Sequence, residues 1–206
     1  MQTSIVICTC NRAEHLRQTL FSMAGVCAAN PMLTELIVVD NASTDDTAET
    51  VKSCRLPNMT TRLVYEPRRG QCYARNTGIA VARGEVVLFT DDDIRFPDNW
   101  IAGMSEPILS GRADAVVGGV RIAPHLERCW MESTHRTWLA GTQDINPKQP
   151  ERMVGASMAF ARQVLDKVPQ FDTELGPGRL AFLTKLSLAG SLKSPVTGSQ
   201  ARLIPP

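Results

Sequence analysis

The sequence predicts an α/β fold with a mostly parallel central sheet flanked by helices. Three observations carry that prediction. Short apolar runs rich in β-branched residues alternate along the chain with segments whose apolar residues recur at helical spacing. The links between them are short, as expected of β-α units wound onto one sheet. Polar residues then crowd the carboxyl ends of three runs: Thr9, Asn11 and Arg12; Asp40, Asn41, Ala42 and Ser43; and Asp91, Asp92 and Asp93. The carboxyl ends of parallel strands share one rim, so these groups should converge where such sheets bind ligands.

The elements follow in order. SIVICT (4–9) reads as a strand, and Leu16, Leu20 and Met23 mark a helix near 14–24. ELIVVD (35–40) is a second strand, followed by a helix at 44–54 with Ser43 and Asp46 in capping-box register. TRLVYE (61–66), a helix over 71–83 and EVVLFT (85–90) come next. Pro97 starts a helix reaching about 109. AVVGGVRI (115–122) and GASMAFA (155–161) are further strands around a less regular stretch with Trp130 and Trp138.

Composition bounds the rest. With 206 residues, 43% hydrophobic and 21% charged, the chain suits one globular domain with at most a small appendage. A net charge of +1 gives no global case for nucleic acid or an anionic membrane. No apolar run nears the roughly 18 residues a membrane span requires, and the N-terminus lacks the basic region of a secretory leader. Cysteines 8, 10, 27, 54, 72 and 129 contain no C-x-x-C pair, and Cys8 and Cys10 share one face of a predicted strand. They read as reduced packing residues of a cytosolic protein.

The aspartate trio carries the sharpest signal. Three adjacent carboxylates after a buried strand repel one another unless something positive meets them. Carboxylate oxygens are hard ligands suited to Mg²⁺ or Mn²⁺, which typically bind through one or two carboxylates plus substrate phosphates. Alternation puts Asp91 and Asp93 on one side and Asp92 on the other. Asp40 ends the second strand where it can accept from a base N–H, while Ser43, Asp45 and Asp46 suffice to cap the helix. In RRGQCYARNTG (68–78) a helix start and Arg75 can meet a phosphate. The chain has no G-x-G-x-x-G and no P-loop. His15, His125 and His135 lack metal-ligand spacing, and Ser157 lacks the G-x-S-x-G elbow.

Together, SIVICTCNR, VVDNASTDDT, RRGQCYARNTGIAVARGEVVLFTDDDIRFPDNWI and GASMAFAR resemble the family 2 glycosyltransferases of the GT-A fold. The likeness covers about residues 1–182, which would form the transferase domain, with 183–206 as an irregular tail outside the family core. It implies a nucleotide-diphosphate sugar donor, UDP-linked first and GDP- or dTDP-linked next, a divalent ion, and inversion at the anomeric carbon. By position, Thr9, Asn11, Arg12, Asp40, Arg75, Asp91 and Asp92 would line the nucleotide-sugar site, with Asp40 on the base. Asp91 and Asp93 would form the D-x-D pair, one toward the ribose and the other on the metal. Gly118, Gly119 and Gly155 would lie near the sugar and the acceptor. The resemblance implies a carbohydrate, lipid-linked or protein acceptor, a place in cell-wall or polysaccharide synthesis, and a cytoplasmic protein, free or peripheral at the inner membrane face.

One family feature is missing. The general base usually comes from an acidic motif shortly after the region matching FDTELGPG (171–178). Here the 32 residues after Glu174 hold no Asp or Glu, against about three at the chain's mean acid content. The catalytic base is therefore unassigned, with Asp172 and Glu174 as candidates. A truncation or reading-frame change near Phe182 is the favoured explanation, and a divergent enzyme that recruits one of those two acids is the other.

Overall fold

The structure, a computed structural model, describes residues 1–29, 33–138, 155–168 and 170–174 with the backbone of 196–203. The mostly parallel sheet expected from the pattern is present. Four parallel strands form one half: β1 (Thr3–Thr9), β2 (Thr34–Asp40), β3 (Met59–Tyr65) and β4 (Val86–Thr90). The full order, with β5 (Ile94–Arg95), β6 (Ala115–Ile122), β7 (Ser157–Ala161) and β8 (Val196–Leu203), is β3-β2-β1-β4-β7-β6-β8-β5. β7 runs antiparallel to both β4 and β6, and β5 antiparallel to β8.

Strand alternation divides the core between the two faces. Ile5, Ile7, Leu36, Val38, Val86 and Leu88 point to one side. There they meet Leu16, Leu20 and Met23 of α1 (Ala13–Ala29), Val51 of α2 (Thr47–Ser53), and Trp100, Ile101 and Met104 of α4 (Trp100–Leu109). Val6, Ile37, Val39, Val87 and Phe89 point to the other, against Cys72 and Ala74 of α3 (Gln71–Val81) and Leu165 of α6 (Arg162–Leu165). Each fully buried side chain of this size contributes about 1.5–3 kcal/mol relative to exposure. Because α1 and α3 cover opposite faces, the chain changes direction between β1 and β4, and the rim there is the topological switch point.

Several boundaries differ from the pattern. The helix expected at 44–54 begins at Thr47, because the Asp45 carboxylate accepts the Thr47 amide at 3.1 Å. The Ser43–Asp46 capping box does not form; Asp46 makes no side-chain cap bond, and the Ser43 hydroxyl accepts the Asn11 amide instead. Pro97 opens a turn whose carbonyl accepts the Trp100 amide, so that helix starts three residues late. β1 ends at Thr9, leaving Cys10 in a bend rather than in the strand with Cys8. All six cysteines are free thiols. Within the tail expected to be irregular, Val196–Leu203 is a strand that pairs in parallel with β6. Its sequence has little periodicity, and the open edge of β6 supplies the backbone partners that specify it. Trp130 is exposed in a turn after β6, and the short helix α5 (Ser133–Trp138) follows.

Gly84 sits where a side chain has no room: a Cβ would lie 2.5 Å from the Ser4 amide nitrogen and 2.7 Å from the Thr3 carbonyl carbon. Gly25, on the outer face of α1, has open space around it. Gly84→Ala should therefore lower stability by about 2–3 kcal/mol, and Gly25→Ala should raise it by about 0.5–1 kcal/mol. Urea denaturation reads both, and equal midpoints for the two variants would contradict the packing described.

Candidate functional site

Register builds the rim. Thr9 pairs with Asp40 across β1 and β2, and Ile7 pairs with Thr90 across β1 and β4. Two residues further along, Thr9 and Asp92 are level, and the Thr9 hydroxyl donates to Asp92 Oδ2 at 2.7 Å. The polar ends of three strands thus meet at the β1/β4 seam, as their positions in the sequence predict.

The trio does not keep strand alternation, because β4 ends at Thr90 and the aspartates turn. Asp92 is only 3% exposed. Its Oδ1 is 2.9 Å from Arg12 Nη1, and Arg12 Nη2 donates to Asp93 Oδ2 at 2.9 Å. Asp91 faces Arg75 Nη2 at 3.8 Å. The positive partners of the three carboxylates are therefore two arginines of this chain. Desolvation pushes Asp91 up to about 6, with Arg75 opposing and Asp93 and Asp92 adding to the rise. Burial also raises Asp92, against the Thr9 hydrogen bond and Arg12. Burial works against charging Arg12, but Asp92 and Asp93 outweigh it and raise its pKa. Cys8, desolvated beside the cleft, is pushed up to about 12 and stays a thiol.

Two loops buttress this arrangement. Asn11 and Ala42 both adopt left-handed backbone, at φ 54° and 58°, which costs an alanine about 1 kcal/mol. The Asn11 side chain accepts the Thr44 amide at 2.7 Å, and the Asp45 carboxylate accepts the Ala13 amide at 3.0 Å. The Arg12 turn is thereby tied to the loop after β2. Asp40, 5% exposed, accepts the Ser43 amide through Oδ1 at 2.9 Å. The Asn41 amide group donates to the carbonyls of Glu66 and Arg68 and accepts the Gly70 amide, which clamps the loop after β3. Gly70, at φ 142°, turns that loop into α3.

Arg75 is a buried member of the site, 4% exposed. Its guanidinium lies over the Phe171 ring, 5.4 Å from the centroid. A Cβ on Gly155 would come within 2.1 Å of Arg75 Nη2, so Gly155 makes room for the guanidinium. Asn76 holds the backbone of Phe171 by two hydrogen bonds, at 2.8 and 2.9 Å. Asp172, next in the chain, is exposed, and its Oδ1 accepts the Glu174 amide. Phe171 and Asn76 escape the sequence reading, because nothing in either residue's neighbourhood signals a contact 95 positions away. Gly118 and Gly119 are buried in β6, with a register irregularity against β8 between Gly118 and Val120. Among the described residues, no three His, Cys, Asp or Glu side chains are grouped so as to hold a metal ion.

A switch-point rim that gathers acids and guanidiniums on a sheet of this order agrees with the GT-A fold that the sequence resemblance leads one to expect. Solved structures share that fold. TarS of S. aureus, residues 1–349, superposes with a TM-score of 0.73 at 17% identity over 98% of this chain and 60% of its own. A mannosyltransferase of Pyrobaculum calidifontis, solved with GDP-Man and Mn²⁺, gives 0.70 at 23% identity over 99% of this chain and 57% of its own. The model for Glycosyl transferase family 2 matches residues 4–168, and the chain belongs to that family. Among curated relatives, glycosyltransferase GlyG of Streptococcus pneumoniae is 31% identical over 41% of this chain. Glycosyltransferase AglE of Haloferax volcanii is 31% identical over 56%. The matched regions span 28% and 38% of those two relatives. No helix among the described residues is long and apolar enough to cross a membrane.

Glu66 supplies a pH test of the rim's second loop. Hydrogen bonds from Arg68 lower its pKa to about 2 against the cost of burial, and Thr77 assists. Because the folded value lies below the ordinary 4.5, Glu66 stabilises the fold above that pH and ceases to as pH falls toward 2. Glu66→Gln should lower the Tm at pH 7 and flatten its decline between pH 5 and 3. Parallel Tm profiles for variant and wild type would refute the assignment.

Proposed function

We propose that this chain binds a nucleotide-diphosphate sugar, UDP-linked in the first instance, with Mg²⁺ or Mn²⁺, and transfers the sugar with inversion to an acceptor hydroxyl. The observation that carries this reading is Asp93 Oδ1, a buried oxygen without a hydrogen-bond partner at the switch-point rim. An orphaned hard donor beside Asp91 suits a divalent cation whose remaining ligands come from a diphosphate and water. When bound, the ion stabilises the negative charge of the departing diphosphate as a Lewis acid.

The protein's own groups do the rest. Asp40 keeps Oδ2 for a base N–H, since Oδ1 is taken by the Ser43 amide. Thr9 and Asn11 shape the floor and wall of the nucleotide pocket, and Arg12 reaches the diphosphate. Asp92 acts from beneath as a buried anchor for Thr9 and Arg12. Arg75 holds Asp91 in place and, through Phe171, ties it to the segment carrying Asp172. Gly155 serves the sugar side by admitting Arg75, with Gly118 and Gly119 on the neighbouring strand. Asp172 is the better placed base, one residue from the Phe171 ring that packs on Arg75. A carboxylate there would take the acceptor proton as the hydroxyl attacks the anomeric carbon. The Mn²⁺, UDP-GlcNAc and GDP-Man found with structural relatives support the donor chemistry.

A second reading, donor binding without transfer, is favoured by the lack of any Asp or Glu in residues 175–206. Release of nucleoside diphosphate from a donor panel with Mn²⁺, with and without acceptors, separates the two. Sugar transfer by the 206-residue chain eliminates the second reading; hydrolysis and transfer both at background eliminate the first. Calorimetry with UDP and Mn²⁺ tests the site itself: Asp93→Ala should abolish metal-dependent binding, and Cys10→Ala should leave it within about twofold. Equal loss in both would remove Asp93 from the metal site.

A further inference from the structure

Arg12 occupies the position where a cation meets the trio. Its guanidinium spans Asp92 Oδ1 and Asp93 Oδ2, each at 2.9 Å, while Asp93 Oδ1 stays buried without a partner. Thr9 takes the other oxygen of Asp92, so both Asp92 oxygens already hold a donor and Asp93 Oδ1 is the oxygen of this pair left without one. Across the rim, three carboxylates face two guanidiniums and leave one net negative charge, a weak attraction for a free divalent ion.

The Arg12 side chain is also the movable member of the group. It is 39% exposed, against 4% for Asp92 and 18% for Asp93. Its backbone follows the left-handed Asn11, whose side chain and amide are bonded to Thr44 and Ser43 of the loop after Asp40. A ligand seated on Asp40 therefore abuts the turn that aims Arg12. A diphosphate beside that turn offers the guanidinium an anion as good as the carboxylates, with bidentate geometry.

We propose that Arg12 stands in for the metal in the donor-free protein. It neutralises Asp92 and Asp93 until a nucleotide diphosphate draws the guanidinium away and frees Asp93 for the incoming ion. The divalent ion and the nucleotide then bind with mutual reinforcement, and neither binds well alone. This rests on the donor-binding reading given above, but its first test needs no nucleotide.

The test is Mn²⁺ binding to the full chain, followed by electron paramagnetic resonance of the free ion. In the absence of nucleotide, Arg12→Gln and Arg12→Met should bind Mn²⁺ about tenfold or more tightly than wild type, because a like charge beside the ligand has been removed. Arg12→Lys, which keeps the charge, should stay within about threefold of wild type. A merely structural role for Arg12 would weaken Mn²⁺ binding in the Gln and Met variants. Two charge-removing variants are used so that one failing to fold, as judged by thermal unfolding, leaves the other. Added UDP should tighten Mn²⁺ binding to wild type by about tenfold or more and to Arg12→Gln by far less. Unchanged or weaker nucleotide-free Mn²⁺ binding in the folded Gln or Met variant overturns the proposal. If UDP has no effect on the wild type while both variants still gain Mn²⁺ affinity, the stand-in role survives and the donor reading falls.

Discussion

Asp92 is a carboxylate 3% exposed at the seam between β1 and β4, and its charge is sustained there by Thr9 and Arg12. An ionised carboxylate stripped of water costs several kcal/mol unless hydrogen bonds and a counter-charge replace its hydration. The seam therefore holds together only while β1 and β4 keep the register that sets Thr9 beside Asp92. That register, in turn, is held by Ile5, Ile7, Val86 and Leu88, buried on the same face. The helical face joins in as well, since the Thr19 hydroxyl of α1 donates to the Asp92 carbonyl. One buried acid thus connects the apolar core to the polar rim, where its two neighbours meet Arg75 and Arg12.

The loops around the seam accept strain to serve it. Asn11 and Ala42 lie in left-handed backbone on facing loops, cross-linked by the Asn11, Ser43 and Thr44 hydrogen bonds. Such conformations persist where the surroundings over-determine them. Here the surroundings are two strand ends locked in parallel register. The opposite rim is also secured by a buried acid: Glu35 accepts from Ser4, Arg83 and Arg62, and these bonds keep its pKa low despite burial. At that end the carboxylate oxygens are satisfied within the chain, which marks it as structural. At the carboxyl rim Asp93 keeps an oxygen unpartnered, and that difference is why the functional reading belongs to one end of the sheet.

Arg75 shows how a second, distant segment enters the site. Its guanidinium fills the space left by Gly155, meets Asp91 and supports the Phe171 ring. Phe171 also packs edge-on to Phe89 of β4, with centroids 5.7 Å apart. The stretch that carries Asp172 is therefore anchored beside Asp91 by an aromatic and a cation. Any rearrangement of Asp91 would be felt by that stretch through two direct contacts.

Much of this was legible in the sequence. The strand Ala115–Ile122 was read to the residue, and β1 and β4 to within one, because apolar runs report their own burial locally. The three polar strand ends, the D-x-D spacing and the family resemblance were equally visible, since each is carried by adjacent residues. The sequence by itself therefore determined the α/β class, the family and the side of the sheet that bears the acids. Only the tertiary structure decided which partner each acid has: Arg12 for Asp92 and Asp93, Arg75 for Asp91, Ser43 for Asp40. It alone set β7 antiparallel, added β8 beside β6 and brought Phe171 to Arg75. Those outcomes depend on strand order and register, which arise from contacts between residues far apart in the chain and leave no periodic trace in any local window.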